Sequence, residues 1–271
     1  MTEADAYIQK MAAANPLIEP TVYSAIQALQ IPFGSQGLDA GCGIGLQALL
    51  LAEAVGPAGH VMSLDISPKF LLHAQGIVKK SGKSEQISFQ EGNVSGLPFE
   101  NGAFDWAWSS NCVGYSASLE PLSALKELAR VVKPGGSVAI FAWSSEKLLP
   151  GYPLLEARLN ATSSGIAPFV NGERPELHFL RALGWFRDAG LEEPTVRTFA
   201  GDAYAPLSDD LRNALIALIE MRWPSVESEL TREDLSEYRR LCLPESPEFI
   251  LKHPNYYAFF TCSMFCGRVA K

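Results

Sequence analysis

Short apolar runs alternate with segments of helical periodicity through the first half of the chain. Residues 37–40 form a short apolar run that leads into a glycine cluster, which is typical of a buried strand before a tight turn. Residues 44–55 then carry an apolar face at helical spacing, and residues 60–65 form the next apolar run. Ser67 and Pro68 follow as a cap residue and a proline at the first helical position. This order predicts a strand, a helix, a second strand and a second helix.

The alternation continues as far as residue 143. It predicts strands at 87–90, 104–109 and 137–143, a helix at 121–132, and a turn at 134–136. Repeated strand–helix units of this length indicate a parallel sheet with right-handed crossovers. We therefore predict an α/β fold with a doubly wound sheet.

The second half of the chain is less regular. Residues 148–174 are rich in proline and glycine and predict an irregular, partly helical excursion. A helix at 176–189 and a strand at 194–200 follow. Ser208 is expected to cap a helix that ends near Glu220, because the apolar residues that follow it share one helical face.

A second short helix and a long final strand complete the pattern. Thr231, with Asp234 three residues later, resembles a capping box for a helix that ends near Leu241. Residues 257–269 form a long apolar run that predicts the last strand. The last two strands are therefore expected to enclose a helical insert.

Composition narrows the class of partner. The chain has 271 residues, of which 47% are hydrophobic, so it can bury a large core. Its formal net charge of -8 would repel a phosphate backbone, and the basic pairs at 79–80 and 239–240 are isolated. We therefore expect no nucleic acid partner. No uninterrupted apolar run approaches the roughly 20 residues that span a bilayer, so we expect no membrane span.

The cysteines and the first residues bear on the compartment. Five cysteines without CxxC pairs argue against a disulfide framework and against a zinc site, so we expect no metal. Residues 1–5 are acidic and lack the basic end and apolar run of a signal peptide. We therefore expect a cytoplasmic protein.

The glycine cluster is the most specific signal. Gly41, Gly43 and Gly45 alternate between a predicted strand and helix, which lets a ligand approach the N–H groups at the helix start. A tight turn that binds nothing would show the same glycines. The spacing is GxGxG and departs from the GxGxxG of dinucleotide sites, because Leu46 follows Gly45. Asp39 would also repel a pyrophosphate and attract an amino group, so the loop suits a zwitterionic amino-acid moiety better.

These residues resemble the class I methyltransferase family, in its small-molecule branch that is similar to enzymes of ubiquinone and menaquinone biosynthesis. LDAGCGIG at 38–45 matches the first motif of the family, and Asp65 stands 26 residues after Asp39 (65 − 39), where the family has an acid. Residues 92–99, 104–111 and 125–136 resemble the later motifs in the same order. The resemblance covers about 38–143 by motif and the remainder by topology alone.

The resemblance implies S-adenosylmethionine as cofactor and S-adenosylhomocysteine as product. It implies that Asp65 holds the ribose hydroxyls and that Ile66 lies against the adenine. Asn93 stands where the family usually has aspartate, and its amide oxygen can still accept from the adenine amino group. The expected cofactor-binding residues are Asp39, Gly41, Cys42, Gly43, Gly45, Asp65, Ile66, Gly92, Asn93, Val94, Ser109 and Asn111.

The resemblance also implies a single Rossmann-like domain over 1–271. Its mostly parallel sheet would have seven strands, the last of them antiparallel, with a helical insert between the last two. We expect residues 1–36 to form an N-terminal helical cover and residues 37–145 the cofactor-binding core. Residues 146–175 and 205–250 are then the acceptor-side inserts.

The expected activity is transfer of a methyl group to a small molecule. Aromatic, weakly charged inserts favour an apolar or aromatic acceptor, and Phe169, Tyr204 and Trp223 are candidates to cover it. Tyr115 and His178 are the candidate catalytic residues, although each has a structural alternative. Two other classes stay open, a non-catalytic cofactor-binding or partner-binding module and a nicotinamide oxidoreductase. The acceptor, the attacking atom and the choice between monomer and homodimer are open at this stage.

Overall fold

The computed structural model describes residues 2–115, 120–166, 174–224 and 226–271. Within these residues, seven strands form one sheet in the order β3-β2-β1-β4-β5-β7-β6. The strands are β1 Gln36–Ala40, β2 His60–Asp65, β3 Ile87–Glu91, β4 Phe104–Ser110, β5 Val132–Lys147, β6 Leu191–Tyr204 and β7 Tyr257–Val269. The helices are α1 Glu3–Leu29, α2 Leu46–Val55, α3 Pro68–Lys80, α4 Pro121–Val131, α5 Pro153–Asn160, α6 Ser163–Ile166, α7 Ala182–Asp188, α8 Asp209–Arg222 and α9 Arg232–Cys242.

The sheet is a doubly wound α/β sheet, as predicted. Strand β1 pairs in parallel with β2 on one side and with β4 on the other, and β4 pairs in parallel with β5. Strand β7 lies antiparallel between β5 and β6. The strand order reverses at β1, where the chain leaves β3 at one edge and returns as β4. A ligand crevice in such a sheet opens beyond the carboxyl ends of the strands at this reversal.

The predicted turn at 134–136 is wrong, because these residues belong to β5. Phe104 pairs with Val132 whereas Trp106 pairs with Ser137, so three residues of β4 face six of β5 and the extra ones bulge. Gly136 must be glycine there, since a Cβ would collide with the Asp105 carbonyl oxygen. Turn-forming residues therefore mark an irregularity within a strand.

The predicted helix at 176–189 begins later than expected. Two short 3-10 turns, Pro175–Leu177 and Phe179–Arg181, precede α7, which starts at Ala182. The backbone of His178 is extended between them, with φ −66° and ψ 129°, so it cannot continue a helix. The predicted caps of the later helices are confirmed. Ser208 Oγ accepts from Leu211 N at the start of α8, and Thr231 Oγ1 accepts from Asp234 N at the start of α9.

The chain divides into two compact units. The core unit comprises 21–144, 170–199 and 262–271, and the insert unit comprises 1–20, 145–169 and 200–261. Apolar residues of one sheet face fill the core unit, among them Leu38, Leu64 and Ile140. Trp106 and Trp108 are almost fully buried against the sheet. None of the described helices has the length and apolar character needed to cross a bilayer.

A buried ion pair ties the insert unit together. Arg222, at the end of α8, donates from Nε and Nη2 to Glu146 Oε1, at 2.9 and 2.6 Å. The same Nη2 donates to the Gly165 carbonyl oxygen at 3.0 Å. The side chains of Arg222 and Glu146 are only 5% and 2% exposed. Such a pair is costly to break, because removing one partner leaves the other charge buried without its counter-charge.

Glu146→Ala is therefore expected to lower the free energy of unfolding by about 3–5 kcal/mol. Urea denaturation with the matched variant Glu220→Ala measures the contrast, since Glu220 forms an exposed ion pair with Lys10 at 2.9 Å. That pair should contribute about 0–1 kcal/mol. Equal losses in the two variants would contradict a buried ion pair that holds this unit.

Candidate active site

The glycine loop after β1 is attached to the end of β2. The N–H groups of Gly41 and Cys42 both donate to the Leu64 carbonyl oxygen, at 2.7 and 2.9 Å. Gly43 N donates to Asp65 Oδ2 at 2.8 Å. The loop conformation is therefore fixed by the neighbouring strand.

The three glycines of this loop have different neighbours. A Cβ on Gly41 would lie 2.6 Å from Cys112 Sγ, and one on Gly45 would lie 2.7 Å from Ala74 Cβ. Both positions are thus closed by packing. Gly43 has φ +53°, and a Cβ there would meet nothing within 4 Å. The loop therefore leaves open space in front of Gly43, as a backbone that receives a ligand requires.

Helix α2 starts from this loop without a side-chain cap. Its N-cap is Gly45, which makes no side-chain hydrogen bond, and its first turn holds no acidic residue. The free N–H groups and the positive end of the helix dipole favour an anionic group. A ligand carboxylate fits this position.

Asp39 is a buried acid with an unsatisfied oxygen. The residue is 1% exposed, and its Oδ2 has no hydrogen-bond partner among the described residues. Burial, together with the smaller effect of the nearby charge of Asp65, raises the pKa of Asp39 to about 8. Buried acceptors of this kind are nearly always paired, so the site lacks a donor that a ligand can supply.

Asp65 is already held by two backbone donors. Besides Gly43 N at Oδ2, Ser67 N donates to Oδ1 at 2.9 Å. A carboxylate accepts about four hydrogen bonds, so two acceptor positions remain. Ile66, the next residue, is 66% exposed although it is a large apolar side chain. A polar group with two donors and a flat apolar group fit these two neighbours.

The third motif lies beside β2. Gly92 N donates to the Asp65 carbonyl oxygen at 3.1 Å, and Val94 is buried. Asn93 Oδ1 accepts from Ser95 N at 2.9 Å, so one of its two lone pairs is used within its own turn. The predicted contact of Asn93 with adenine depends on the second lone pair and stays a prediction.

The end of β4 is braced on both sides. Ser109 is buried and donates from Oγ to the Ala40 carbonyl oxygen at 2.8 Å, which links β4 to β1. Asn111 has φ +47°, donates from N to the Phe141 carbonyl oxygen at 2.8 Å, and accepts at Oδ1 from Trp143 N at 3.1 Å. Both residues lie at the predicted edge of the sheet, and their contact with a cofactor stays a prediction.

The candidate catalytic residues have structural surroundings of their own. Tyr115 is half-buried and packs against the apolar cluster of the core unit. His178 Nδ1 accepts from Leu180 N at 3.2 Å and caps the 3-10 turn that follows. Their catalytic roles stay predictions.

Burial raises the pKa of the Cys112 thiol to about 11, which disfavours its thiolate.

The three aromatic residues predicted to cover the acceptor differ in their surroundings. Trp223 is fully buried in the insert unit and donates from Nε1 to Asn160 Oδ1 at 2.9 Å, so it serves the packing of that unit. Tyr204 is 65% exposed. Phe169 lies outside the described residues. Among the residues that the structure describes, no three His, Cys, Asp or Glu side chains cluster in a way that could hold a metal ion.

Sequence reasoning missed Gln47. This half-buried residue accepts at Oε1 from Trp108 Nε1 and donates from Nε2 to Ser110 Oγ. Its signal in the sequence is faint, since it is the one polar residue among apolar neighbours at 46–52. The partners are more than 60 residues away along the chain, and only the fold brings them together.

The sequence of this chain is similar to those of known methyltransferases. A family described as a methyltransferase domain matches residues 38–136. A demethylmenaquinone methyltransferase from Bacillus licheniformis is 35% identical over 196 residues, which cover 66% of this chain and 80% of that protein. The chain belongs to the S-adenosylmethionine-dependent methyltransferase family. Its cofactor is S-adenosylmethionine, as the resemblance implied.

A second relative and a solved structure also support the methyltransferase family and its fold. A demethylmenaquinone methyltransferase from Lactococcus lactis is 32% identical over 163 residues, which cover 59% of this chain but only 60% of that protein. A structure of a methyltransferase from Aquifex aeolicus has a TM-score of 0.52 at 20% identity and covers 71% of this chain and 90% of that one. This likeness shows the fold. The predicted family and its quinone-biosynthesis-like branch are confirmed.

The residues present fit the cofactor of this methyltransferase. The unsatisfied oxygen of Asp39 suits an ammonium group, and the uncapped start of α2 suits a carboxylate. Asp65 retains acceptor capacity for hydroxyl groups, and the open space at Gly43 leaves room between these positions.

The raised pKa of Asp39 predicts that cofactor affinity depends on pH. Below about pH 8 the carboxyl group is mostly neutral, and only its ionised form attracts an ammonium group strongly. The dissociation constant of S-adenosylhomocysteine should therefore fall about tenfold from pH 6 to pH 7 and level off above pH 8. Isothermal titration calorimetry measures it. Asp39→Asn removes the titrating group, so the variant should show no such slope; a slope that persists in it would refute the assignment.

Proposed function

We propose that this methyltransferase methylates a small apolar aromatic acceptor of the quinone class, in its reduced form. The relatives from Bacillus licheniformis and Lactococcus lactis are named for demethylmenaquinone, which supports this class. The observation that carries the cofactor side of the proposal is the buried, unpartnered oxygen of Asp39 next to the open space at Gly43. Together they offer a hydrogen-bond acceptor and open space for an amino-acid moiety.

The proposed cofactor-binding roles are those that the family resemblance implies, and the surroundings of Asp39 and Asp65 support them. Asp39 would accept from the cofactor ammonium, and the first turn of α2 would donate to its carboxylate. Asp65, oriented by Gly43 N and Ser67 N, would accept from the ribose hydroxyls. Ile66 would cover the adenine. The other residues proposed to line the cofactor are Gly41, Cys42, Gly45, Gly92, Asn93, Val94, Ser109 and Asn111.

For methyl transfer the protein chiefly has to align the acceptor with the methyl group of the cofactor. When bound, S-adenosylmethionine supplies an electrophilic methyl group attached to a sulfonium. Correct alignment of two reactants can contribute about 7–11 kcal/mol to lowering a barrier. A reduced quinone carries an acidic hydroxyl group, and the anion of that group activates the ring carbon. A weak general base is therefore sufficient. Tyr115 and His178 remain the candidates to take that proton.

The location, the oligomeric state, the domain division and the alternative functions complete the proposal. The cytoplasmic location and the choice between monomer and homodimer remain predictions, as does the division into an N-terminal cover, a core and inserts. Nucleic acid is disfavoured as an acceptor by the net charge of -8. The reported relatives give no support to a non-catalytic module.

The proposed activity is tested with methyl-labelled S-adenosylmethionine and a panel of acceptors. Label should enter chemically reduced naphthoquinones and benzoquinones that lack a ring methyl group, with one equivalent of S-adenosylhomocysteine formed. Oxidised quinones, protein and RNA serve as controls. Label in protein or RNA alone would contradict the proposal.

A matched pair of variants tests the cofactor side. Asp65→Ala should raise the KM for the cofactor about tenfold or more, because it removes a charged hydrogen-bond acceptor. Asp105→Ala is the control, since Asp105 also accepts a backbone N–H of β1, from Gln36 at 2.8 Å, and forms an ion pair with Lys133. The control should leave the KM near that of the parent. A KM that rises equally in both variants would indicate a general folding defect.

A further inference from the structure

A single amide joins the helix of the cofactor loop to the strand that borders the acceptor. Gln47 is the second residue of α2, and its Oε1 accepts from Trp108 Nε1 at 2.8 Å. Its Nε2 donates to Ser110 Oγ at 2.9 Å. Trp108 is fully buried, so its indole N–H depends on this acceptor. The oxygen and the nitrogen of the Gln47 amide thus both bond to residues of β4.

The two ends of this link face different parts of the site. Gln47 follows Gly45 by two residues and lies in the helical turn whose N–H groups suit the cofactor carboxylate. Ser110 is the last residue of β4 and precedes Asn111, which is itself fixed to β5 through Phe141 and Trp143. The link therefore spans the distance from the cofactor loop to the end of β4.

The cofactor loop does not need this link for its own conformation. Its anchors lie on β2, where Leu64 accepts from Gly41 and Cys42 and Asp65 accepts from Gly43. Loss of the Gln47 contacts would leave those anchors in place. It would remove only the side-chain connection between α2 and the end of β4, while Ser109 and Asn111 keep their own bonds to Ala40 and to β5. We therefore expect methyl transfer to be affected more than cofactor binding.

We propose that Gln47 is a positioning residue for methyl transfer. It acts through Ser110 and Trp108, and sets the end of β4 against the cofactor loop without touching the reacting atoms. The inference rests on the proposed function, because it assumes that the acceptor lies beside the end of β4. A misplacement of about 1 Å can lower a rate about a hundredfold.

The chain offers a matched control two residues earlier in the same strand. Trp106 is also buried, and its Nε1 donates to Ser35 Oγ at 2.9 Å. Gln47→Met and Ser35→Ala each remove the acceptor of one buried indole N–H on the same sheet face. Both should lower the melting temperature. Gln47→Met alone should lower kcat, by about tenfold to a hundredfold, with the Kd for S-adenosylhomocysteine within about twofold of the parent.

Ser110→Ala identifies the route of the effect. It removes one end of the link and keeps Trp108 paired, so kcat should fall less than in Gln47→Met. The double variant should have the kcat of Gln47→Met, because both changes break the same connection. Additive losses of kcat, or equal losses of kcat in Gln47→Met and Ser35→Ala, would overturn the proposal.

Amide hydrogen exchange gives a second readout that needs no acceptor. With S-adenosylhomocysteine bound, exchange over residues 109–113 should rise at least several-fold in Gln47→Met and stay unchanged in Ser35→Ala. Unchanged exchange in Gln47→Met would overturn the positioning role. If the parent enzyme methylates no quinol while the two variants show this exchange pattern, the proposed acceptor is wrong and the positioning role stands.

Discussion

The attachment of the glycine loop to β2 is the contact on which the site depends. One carbonyl oxygen, that of Leu64, accepts from both Gly41 and Cys42, and the Asp65 side chain holds Gly43. These bonds fix the curvature of the loop before α2 begins. They also leave Asp39 buried at the inner end of the loop and Gly43 facing open space. A loop anchored only through its own helix would specify neither position.

Two carboxyl groups at the ends of adjacent strands acquire different properties from their surroundings. Asp39 has no donor at Oδ2, and burial raises its pKa, so it is a neutral acid that gains from an incoming cation. Asp65 is satisfied by two backbone N–H groups and keeps acceptor capacity for hydroxyls. In the proposed complex the same residue type would serve an ammonium group and a ribose, as environment separates the roles of paired carboxylates in other enzymes.

Local signals explain which parts of this structure could be predicted from sequence. The glycine loop, strands β1 to β4 and the caps at Ser208 and Thr231 depend on neighbours within a few residues, and they were predicted. The turn at 134–136 was not distinguishable from a strand bulge, because a bulge is defined by pairing with β4. The link of Gln47 to Trp108 joins residues 61 positions apart, so no local pattern reveals it.

The proposed site depends on cofactor binding at the glycine bend, since a tight turn that binds nothing would show the same glycines. Calorimetric titration of Gly43→Ala with S-adenosylhomocysteine tests it most directly, with Gly82→Ala as control. Both glycines have positive φ and room for a Cβ, so the two variants share the backbone strain. We expect Gly43→Ala to bind about tenfold more weakly or worse and Gly82→Ala to bind like the parent. Equal, parent-like affinity in a folded Gly43→Ala would contradict it.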